Sequence, residues 1–478
     1  MDQYKTPLLD QLILHHKKNP ISLHVPGHKY GRLLDHPKYS VYRGILQLDA
    51  TELAGLDDLH SPEGVIKEAE TLLSEIYGTE RSYFLVNGST VGNLAMILTV
   101  LQKGDIVLVQ RNCHKSVLNG IELAQARPVF LGPEYDEDWG VTGSISEAIV
   151  AKAMELYPEA KALILTYPSY YGMVNDLEEI IKQAHKADIP VLVDEAHGAH
   201  FICGGFFPKS AVMLGADIVV QSAHKTLPAM TMGSYLHLNG KRIAKGRLDH
   251  YLHILQSSSP SYPIMASLDI ARSYIGTYSA GDHAYLHEQL TYFAAKLSEN
   301  DGIKVLNYGS QKGDPLKITL QSQTDLNGFE MQEAFAREGI YTELADPLNV
   351  LLVLPLLKTG MDYPFAKVIT GINRALQSVK RTKRKIDKSD YHPVISLLEV
   401  DSEEAQYLTR RKVSLHDAIG EIAAERVTPY PPGIPLLFPG ERITDPVMAQ
   451  IQHLAKSGAR FQEGSGICQG EIYIYQSK

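Results

Sequence analysis

Between about residue 63 and residue 240, short β-branched runs alternate with stretches of helical periodicity, and this rhythm restricts the fold more than any other feature of the chain. Strand followed by helix, repeated, is the pattern of an α/β layer built on a mostly parallel sheet with helices on both faces. Strands are predicted at "DIVLVQ" (105–110), "ARPVFLG" (126–132), "KALILTYP" (161–168), "IPVLVDEA" (189–196) and "ADIVVQS" (216–222). Between two of them "DLEEIIKQAHKA" (176–187) reads as a helix, acidic in its first turn and basic in its last, as the helix dipole prefers. Open sheets of this kind bind ligands beyond the carboxyl ends of their strands. The strand endings are therefore where chemistry is to be sought.

The flanks are organised differently. Leu8, Leu12 and Ile13 mark one face of a short amphipathic N-terminal helix. After about residue 300, "KITLQSQTDLNGFEMQEAFAREGIYTEL" and "NVLLVLPLLKTGMDYPFAKVITGINRAL" read as strand–helix pairs of a smaller α+β region. The expected division is an N-terminal helical segment (1–22), a large α/β domain (23–300) and a C-terminal α+β domain (301–478); 478 residues exceed what one core holds. The basic run "KRTKRKIDKSD" (380–390) is read as a solvated linker.

A net charge of −9 argues against a nucleic-acid or anionic-membrane partner, which would favour a positive surface. Cys113, Cys203 and Cys468 are odd in number and lack CxxC spacing, so neither a disulfide frame nor a structural zinc is expected. The first twenty residues lack a secretory pattern, and no run approaches the roughly 20 apolar residues that span a bilayer. The expectation is a cytoplasmic protein.

Four strand endings carry chemically able residues. In "FLVNGSTVGNLAMILTVL" (84–101), Gly88, Ser89 and Thr90 stand where an apolar run gives way to a helix, a place with free N–H groups and a positive dipole end that suits a phosphate or is simply capped by its own hydroxyls. "VDEAHGAH" (193–200) ends a strand in Asp194, Glu195 and His197. Its letters match a helicase box, but the chain has no GxxxxGK[ST] loop, and a metal site on His197 and His200 finds no further ligand pattern. "RNCHKSVLNGIELA" (111–124) sets His114 between a strand and a helix, as a cap or as a functional group. In "VVQSAHKTLPAM" (219–230) a core strand leads to Lys225. A lysine at a cleft mouth is partly desolvated and becomes a nucleophile toward carbonyls; on an open loop it is only a surface charge. Together these groups meet the needs of pyridoxal 5'-phosphate: a lysine for a Schiff base, a carboxylate for the pyridine nitrogen, a platform for the ring and donors for the phosphate.

The chain resembles the bacterial Orn/Lys/Arg decarboxylases, pyridoxal-phosphate enzymes of fold type I. The resemblance runs nearly end to end through "HVPGHK" (24–29), "LDDLHSPEGVIKEAE" (56–70), "NGST" (87–90), "RNCHKS" (111–116), "VLVDEAHGAH" (191–200), "SAHKTLPAMTMGS" (222–234) and "PYPPGIPLLFPGE" (429–441). It is similar to the shorter form, without a receiver-like wing domain before "HVPGHK". The resemblance implies that Lys225 is the Schiff-base lysine and that Asp194 faces the pyridine nitrogen. It implies His114 stacked on the ring, Ala196 against the opposite face and His197 near the 3-hydroxyl. It implies phosphate contacts from Ser89, Thr90, Ser222 and His224, with Gly88 among the cofactor-binding residues, and a substrate contact from Glu441. The activity implied is α-decarboxylation of a basic amino acid: arginine ahead of lysine, with ornithine third. Alternatives on the same fold are an aminotransferase or another lyase, and, from a different class, a cofactor-binding protein without turnover. The resemblance also implies a homodimer or higher homo-oligomer.

Overall fold

The computed structural model describes residues 1–308, 312–382, 394–430, 433–464 and 466–476. Residues 383–390 of the basic run, and Pro431 and Pro432, lie outside the described residues. Contacts divide the chain into two compact units: Met1–Val100 with Pro190–Gly205 and Lys209–Ser279, and Leu101–Ile189 with Phe206–Pro208 and Ala280–Lys478. These units are groups of contacts and cut across the sequence segments 1–22, 23–300 and 301–478.

The first unit holds four strands, in the order Arg81–Leu85, Ser234–Leu238, Ile218–Gln221, Val191–Asp194. Val191–Asp194 and Ile218–Gln221 are parallel, with Asp194 opposite Val220. Arg81–Leu85 runs the same way, because it and Ile218–Gln221 are both antiparallel to Ser234–Leu238. Ser234–Leu238 is absent from the sequence-based strands. Ser234 and His237 disguise it as polar, yet all five of its residues are buried. Helix Gly88–Val100 packs so closely on this layer that a Cβ on Gly92 would lie 2.7 Å from both Leu85 and Val220. The N-terminal helix Pro7–Lys17 starts with proline, buries Leu8 and Leu12, and leaves Ile13 half-buried. Its Leu8 N–H donates to Asp269 (3.0 Å), which also accepts from the buried Arg272 (2.6 Å).

In the second unit, Ile106–Gln110 lies parallel to both Arg127–Leu131 and Ala162–Thr166, and Ile395–Leu397 adds an antiparallel edge. All five strands predicted from sequence are present, each shorter than predicted by one to four residues in all. The predicted helix is Leu177–Lys186, capped by the Asp176 carboxylate on the Glu179 N–H (3.3 Å). The strand–helix pairs after residue 300 are Lys317–Ser322 with Gly328–Arg337, started by an Asn327–Glu330 capping box, and Asn349–Val353 with Phe365–Leu376. Lys317–Ser322 and Asn349–Val353 pair within a four-stranded antiparallel sheet. A last cluster joins Leu437, Ile443, Ile451 of helix Asp445–Lys456, and Ile472 and Ile474 of the antiparallel strand pair Arg410–Ser414/Glu471–Tyr475. Among the described residues, no helix is long and apolar enough to cross a membrane.

The close approach at Gly92 yields a prediction. Gly92→Ala forces Leu85 and the stiff Val220 to move, so it should destabilise the protein by about 1–3 kcal/mol despite alanine's better helix propensity. Denaturant unfolding checks this; an unchanged or raised midpoint would show that the layer yields freely there.

Candidate active site

Strand direction puts three chain exits on one edge of the first unit. The co-directional strands end at Leu85, Asp194 and Gln221, and the residues that follow are those singled out from sequence. Asp194 is 2% exposed. A carboxylate that deep needs its oxygens satisfied. Asn93 Nδ2 donates to Oδ2 (2.9 Å) and the Ala196 N–H to Oδ1 (3.1 Å), which fixes the plane of the group.

After Gln221 the chain turns once through Ala223–Thr226, and this short turn carries Lys225. The lysine is half-buried, its Nζ 3.1 Å from Nε2 of the buried His197. Since an ammonium can only donate, His197 Nε2 is the acceptor whenever Lys225 is charged. His224 donates from Nδ1 to the Gly233 carbonyl (3.1 Å), and its own N–H reaches the same carbonyl (3.1 Å). Ser222 Oγ donates to Ser89 Oγ (2.6 Å), tying the lysine turn to the start of helix Gly88–Val100. Gly88 there has φ +80° and open space where a Cβ would stand, Ser89 is half-buried and Thr90 is exposed. Together these residues leave a helix start with small hydroxyls and an unobstructed backbone, suited to an anion. Ala196 follows Asp194 and is buried.

The second unit holds His114 and Glu441. His114 is the N-cap of helix Lys115–Leu123: Nδ1 accepts from the Ser116 N–H (3.2 Å) and pairs with Ser116 Oγ (2.8 Å). As the acceptor of that N–H, Nδ1 carries no proton, so the neutral ring holds its proton on Nε2. The cap reading and the functional reading are compatible, because capping uses one ring edge and leaves the faces. Gly433, in the "PPGIP" motif, has φ +88°, and a Cβ there would sit 3.8 Å from the imidazole. Glu441 Oε2 accepts from Arg111 Nη2 (2.8 Å) and the Phe438 N–H (2.7 Å). Arg111 also donates to the Pro435 (2.9 Å) and Leu436 (3.1 Å) carbonyls, and its guanidinium lies 4.9 Å over the Phe130 ring. The pair braces the 435–441 segment.

Asn93 and Arg111 escaped the sequence reading. Asn93 sits four positions after Ser89, hence on the same helix face, and is a lone amide in the apolar run "VGNLAMILTVL". That mismatch was its signal. Arg111 opens the "RNCHKS" motif, but its partner lies 330 residues away.

Comparison with known proteins identifies the fold and the family. The fold is that of the constitutive lysine decarboxylase of Escherichia coli, with a TM-score of 0.80 over 99% of this chain and 82% of that one at 19% identity. It is an α/β fold of the type I pyridoxal-phosphate class. The family model for the Orn/Lys/Arg decarboxylase major domain matches residues 6–292, and the model for its C-terminal domain matches residues 381–464. The chain belongs to the Orn/Lys/Arg decarboxylase family. It is 46% identical over 475 residues to the Bacillus subtilis protein YaaO, recorded as uncharacterized, covering 98% of each chain. It is 33% identical over 467 residues to the arginine decarboxylase of Bacillus subtilis, covering 94% of each. The protein is thus a decarboxylase whose cofactor is pyridoxal 5'-phosphate. The chain's residues fit that group: a buried, oriented carboxylate and a lysine amine share one strand edge with a glycine-opened helix start.

Removing the guanidinium of Arg111 takes the charged donor from the Glu441 carboxylate, which keeps only the Phe438 N–H, and takes the same donor from the Pro435 and Leu436 carbonyls. Arg111→Met should cost about 2–4 kcal/mol in unfolding free energy, whereas Glu441→Gln, which keeps an acceptor, should cost less than half as much. Chemical denaturation of both variants checks this; equal losses would contradict the brace.

Proposed function

We propose that this protein decarboxylates arginine to agmatine, with lysine second and ornithine third, and that the residues named above divide the work. The relation to a protein named arginine decarboxylase over nearly the whole of both chains supports that order. One observation carries the assignment of roles: the Lys225 amine, the His197 imidazole and the buried Asp194 carboxylate lie on one strand edge.

When bound, pyridoxal 5'-phosphate supplies a sink for the electron pair left on the α-carbon as carbon dioxide departs. Lys225 is its covalent attachment point. Asp194 favours positive charge beside it, which is what a pyridine nitrogen needs to remain protonated, and the Asn93 and Ala196 donors keep the carboxylate from rotating away. Ser89, Ser222 and His224, with the backbone at Gly88 and Thr90, would hold its phosphate. His114, held by Ser116 in one ring orientation, would supply the platform for the ring, as the resemblance implies, and Ala196 and His197 would be further contacts to the cofactor. The proton that replaces the carboxylate on the α-carbon would come from Lys225 Nζ or a neighbouring histidine, and His197 Nε2, 3.1 Å from Nζ, accepts from the ammonium and holds it in place. Glu441 acts near the substrate through the brace it forms with Arg111.

The same reading includes a homodimer or larger homo-oligomer in the cytoplasm, with 1–22, 23–300 and 301–478 as its domains. Leu23 (93% exposed), Ile21 (80%) and Val41 (79%) stand in water in the first unit, an arrangement a partner subunit would relieve.

Purified protein supplied with cofactor should release carbon dioxide and agmatine from arginine, faster than the corresponding amines from lysine or ornithine. Failure with all three substrates would sink the reading, and a keto acid product would make the protein an aminotransferase. Lys225→Ala should abolish the visible absorbance of bound cofactor and lower turnover by at least about 1000-fold. Persistence of the absorbance would mean that another lysine is the attachment point.

A further inference from the structure

Glu195 follows the proposed cofactor carboxylate directly and is fully buried, yet the mechanism above does not use it. Its side chain is the end of a continuous polar chain across the first unit. Ser82 Oγ pairs with His237 Nδ1 (2.8 Å), His237 Nε2 with Gln221 Oε1 (3.1 Å), and Gln221 Nε2 donates to Glu195 Oε2 (2.6 Å). Ser210 Oγ donates to the same oxygen (2.7 Å), and the Ala211 N–H donates to Oε1 (2.6 Å). The chain takes in all four strands: it starts on Arg81–Leu85, passes through Ser234–Leu238 and Ile218–Gln221, and ends at the residue that follows Val191–Asp194.

The backbone is built round this carboxyl. The Glu195 N–H donates to the Val220 carbonyl (2.8 Å), extending the parallel pairing one step past Asp194, and its own carbonyl accepts from the Gly198 N–H (2.9 Å). A Cβ on Gly198 would lie 2.7 Å from Glu195 Cγ, so the turn Glu195–Gly198 wraps the side chain itself. That turn carries Ala196 and His197. At the other end of the link, Gln221 immediately precedes Ser222 and is three residues from His224.

We propose that Glu195 is a positioning residue for the cofactor site: a buried acid that fixes the turn holding Asp194, Ala196 and His197 against the strand leading to Lys225, and whose ionisation changes that alignment. This inference rests on the cofactor assignment made above. Burial pushes the Glu195 carboxyl up to about 8, against the opposing pull of its Ala211, Gln221 and Ser210 hydrogen bonds. As a neutral acid it has a proton to donate; when Gln221 accepts it, the amide turns its oxygen toward Glu195 and its nitrogen toward His237, which exchanges tautomers against Ser82. As an anion it takes the amide N–H. Along that route one deprotonation reverses the direction of the whole chain.

Other titratable groups surround it. The Tyr77 ring lies tilted against His237 (centroids 4.0 Å apart, planes at 30°), and Tyr77 interacts with Glu195, as well as with Tyr235 and the Cys203 thiol; His200 and Asp194 lie on the same segment. Burial pushes the Tyr77 and Tyr235 phenols up and His237 down to about 3, so none of these three changes charge near the Glu195 value. Cys203→Ser removes the thiol as a competing source.

The test follows the visible absorbance of bound cofactor, together with KM and kcat, as pH is raised through about 8 in the holoenzyme. Wild type should show a transition there. Glu195→Gln, a mimic of the neutral acid, should lack it and keep the low-pH spectrum throughout, with kcat within about threefold of wild type below the transition. Ser210→Ala, which removes a bond favouring the anion, should move the transition to higher pH, and Cys203→Ser should leave it in place. Stability gives a second readout. A carboxyl raised in the folded state contributes stability that is full below its unfolded value near 4.5 and is lost as pH rises to about 8. The Tm of Glu195→Gln relative to wild type should therefore climb across that interval. A wild type without the transition, a Glu195→Gln protein that retains it, or a Ser210→Ala transition that stays put or falls would each overturn the inference. Absence of any cofactor band in wild type would instead overturn the cofactor reading.

Discussion

The parallel pairing of Val191–Asp194 with Ile218–Gln221 is the constraint on which the site in the first unit depends. With Asp194 opposite Val220, the two strands end one residue apart, and the segments that follow them leave on the same edge. A slip of one residue would turn Asp194 to the other face of the sheet and separate it from Asn93. Burial prevents that slip: all four residues of each strand are inaccessible, so exchanging faces would disrupt the packing on both sides. Helix Gly88–Val100 adds to the restraint, since Gly92 meets Val220 on one strand while Asn93 holds Asp194 on the other.

Putting polar groups into so apolar a layer creates a debt that side chains settle locally. Asp194 is held by an amide and an N–H, Glu195 by an amide, a hydroxyl and an N–H, and His237 by Ser82 and Gln221. None of these pairings adds much net stability, since each replaces hydrogen bonds to water. Breaking one is costly, because it leaves a buried group unsatisfied. Specificity of geometry follows from that asymmetry: the strand edge has few other arrangements that satisfy every member.

Sequence reading located most of the layer and the chemistry at its edge, for a physical reason. Runs such as "IVVQ" and "VLVD" are buried on both faces, so their β-branched composition is unmasked, and the candidate site residues sit where those runs stop. Lys225, Asp194, Ser89 and Ser222 were legible because a polar residue just past a core strand is conspicuous. Ser234–Leu238 was not, since Ser234 and His237 break its apolar pattern and are acceptable in the core only because of partners elsewhere. Arg111 and Asn93 share that difficulty. Each takes its meaning from a partner distant in sequence, Glu441 and Asp194, which local pattern cannot supply. The assignment of Glu441 to the substrate came from resemblance alone, and its brace with Arg111 was likewise invisible before the fold was known.

The central claim is that the strand Ile218–Gln221 delivers the lysine that holds the cofactor. Reduction of the holoenzyme with borohydride, followed by peptide mass mapping, tests this without altering the protein. The expected result is a single cofactor-derived mass increment on the peptide containing Lys225. An increment confined to another lysine, such as Lys115 beside His114, would contradict the account.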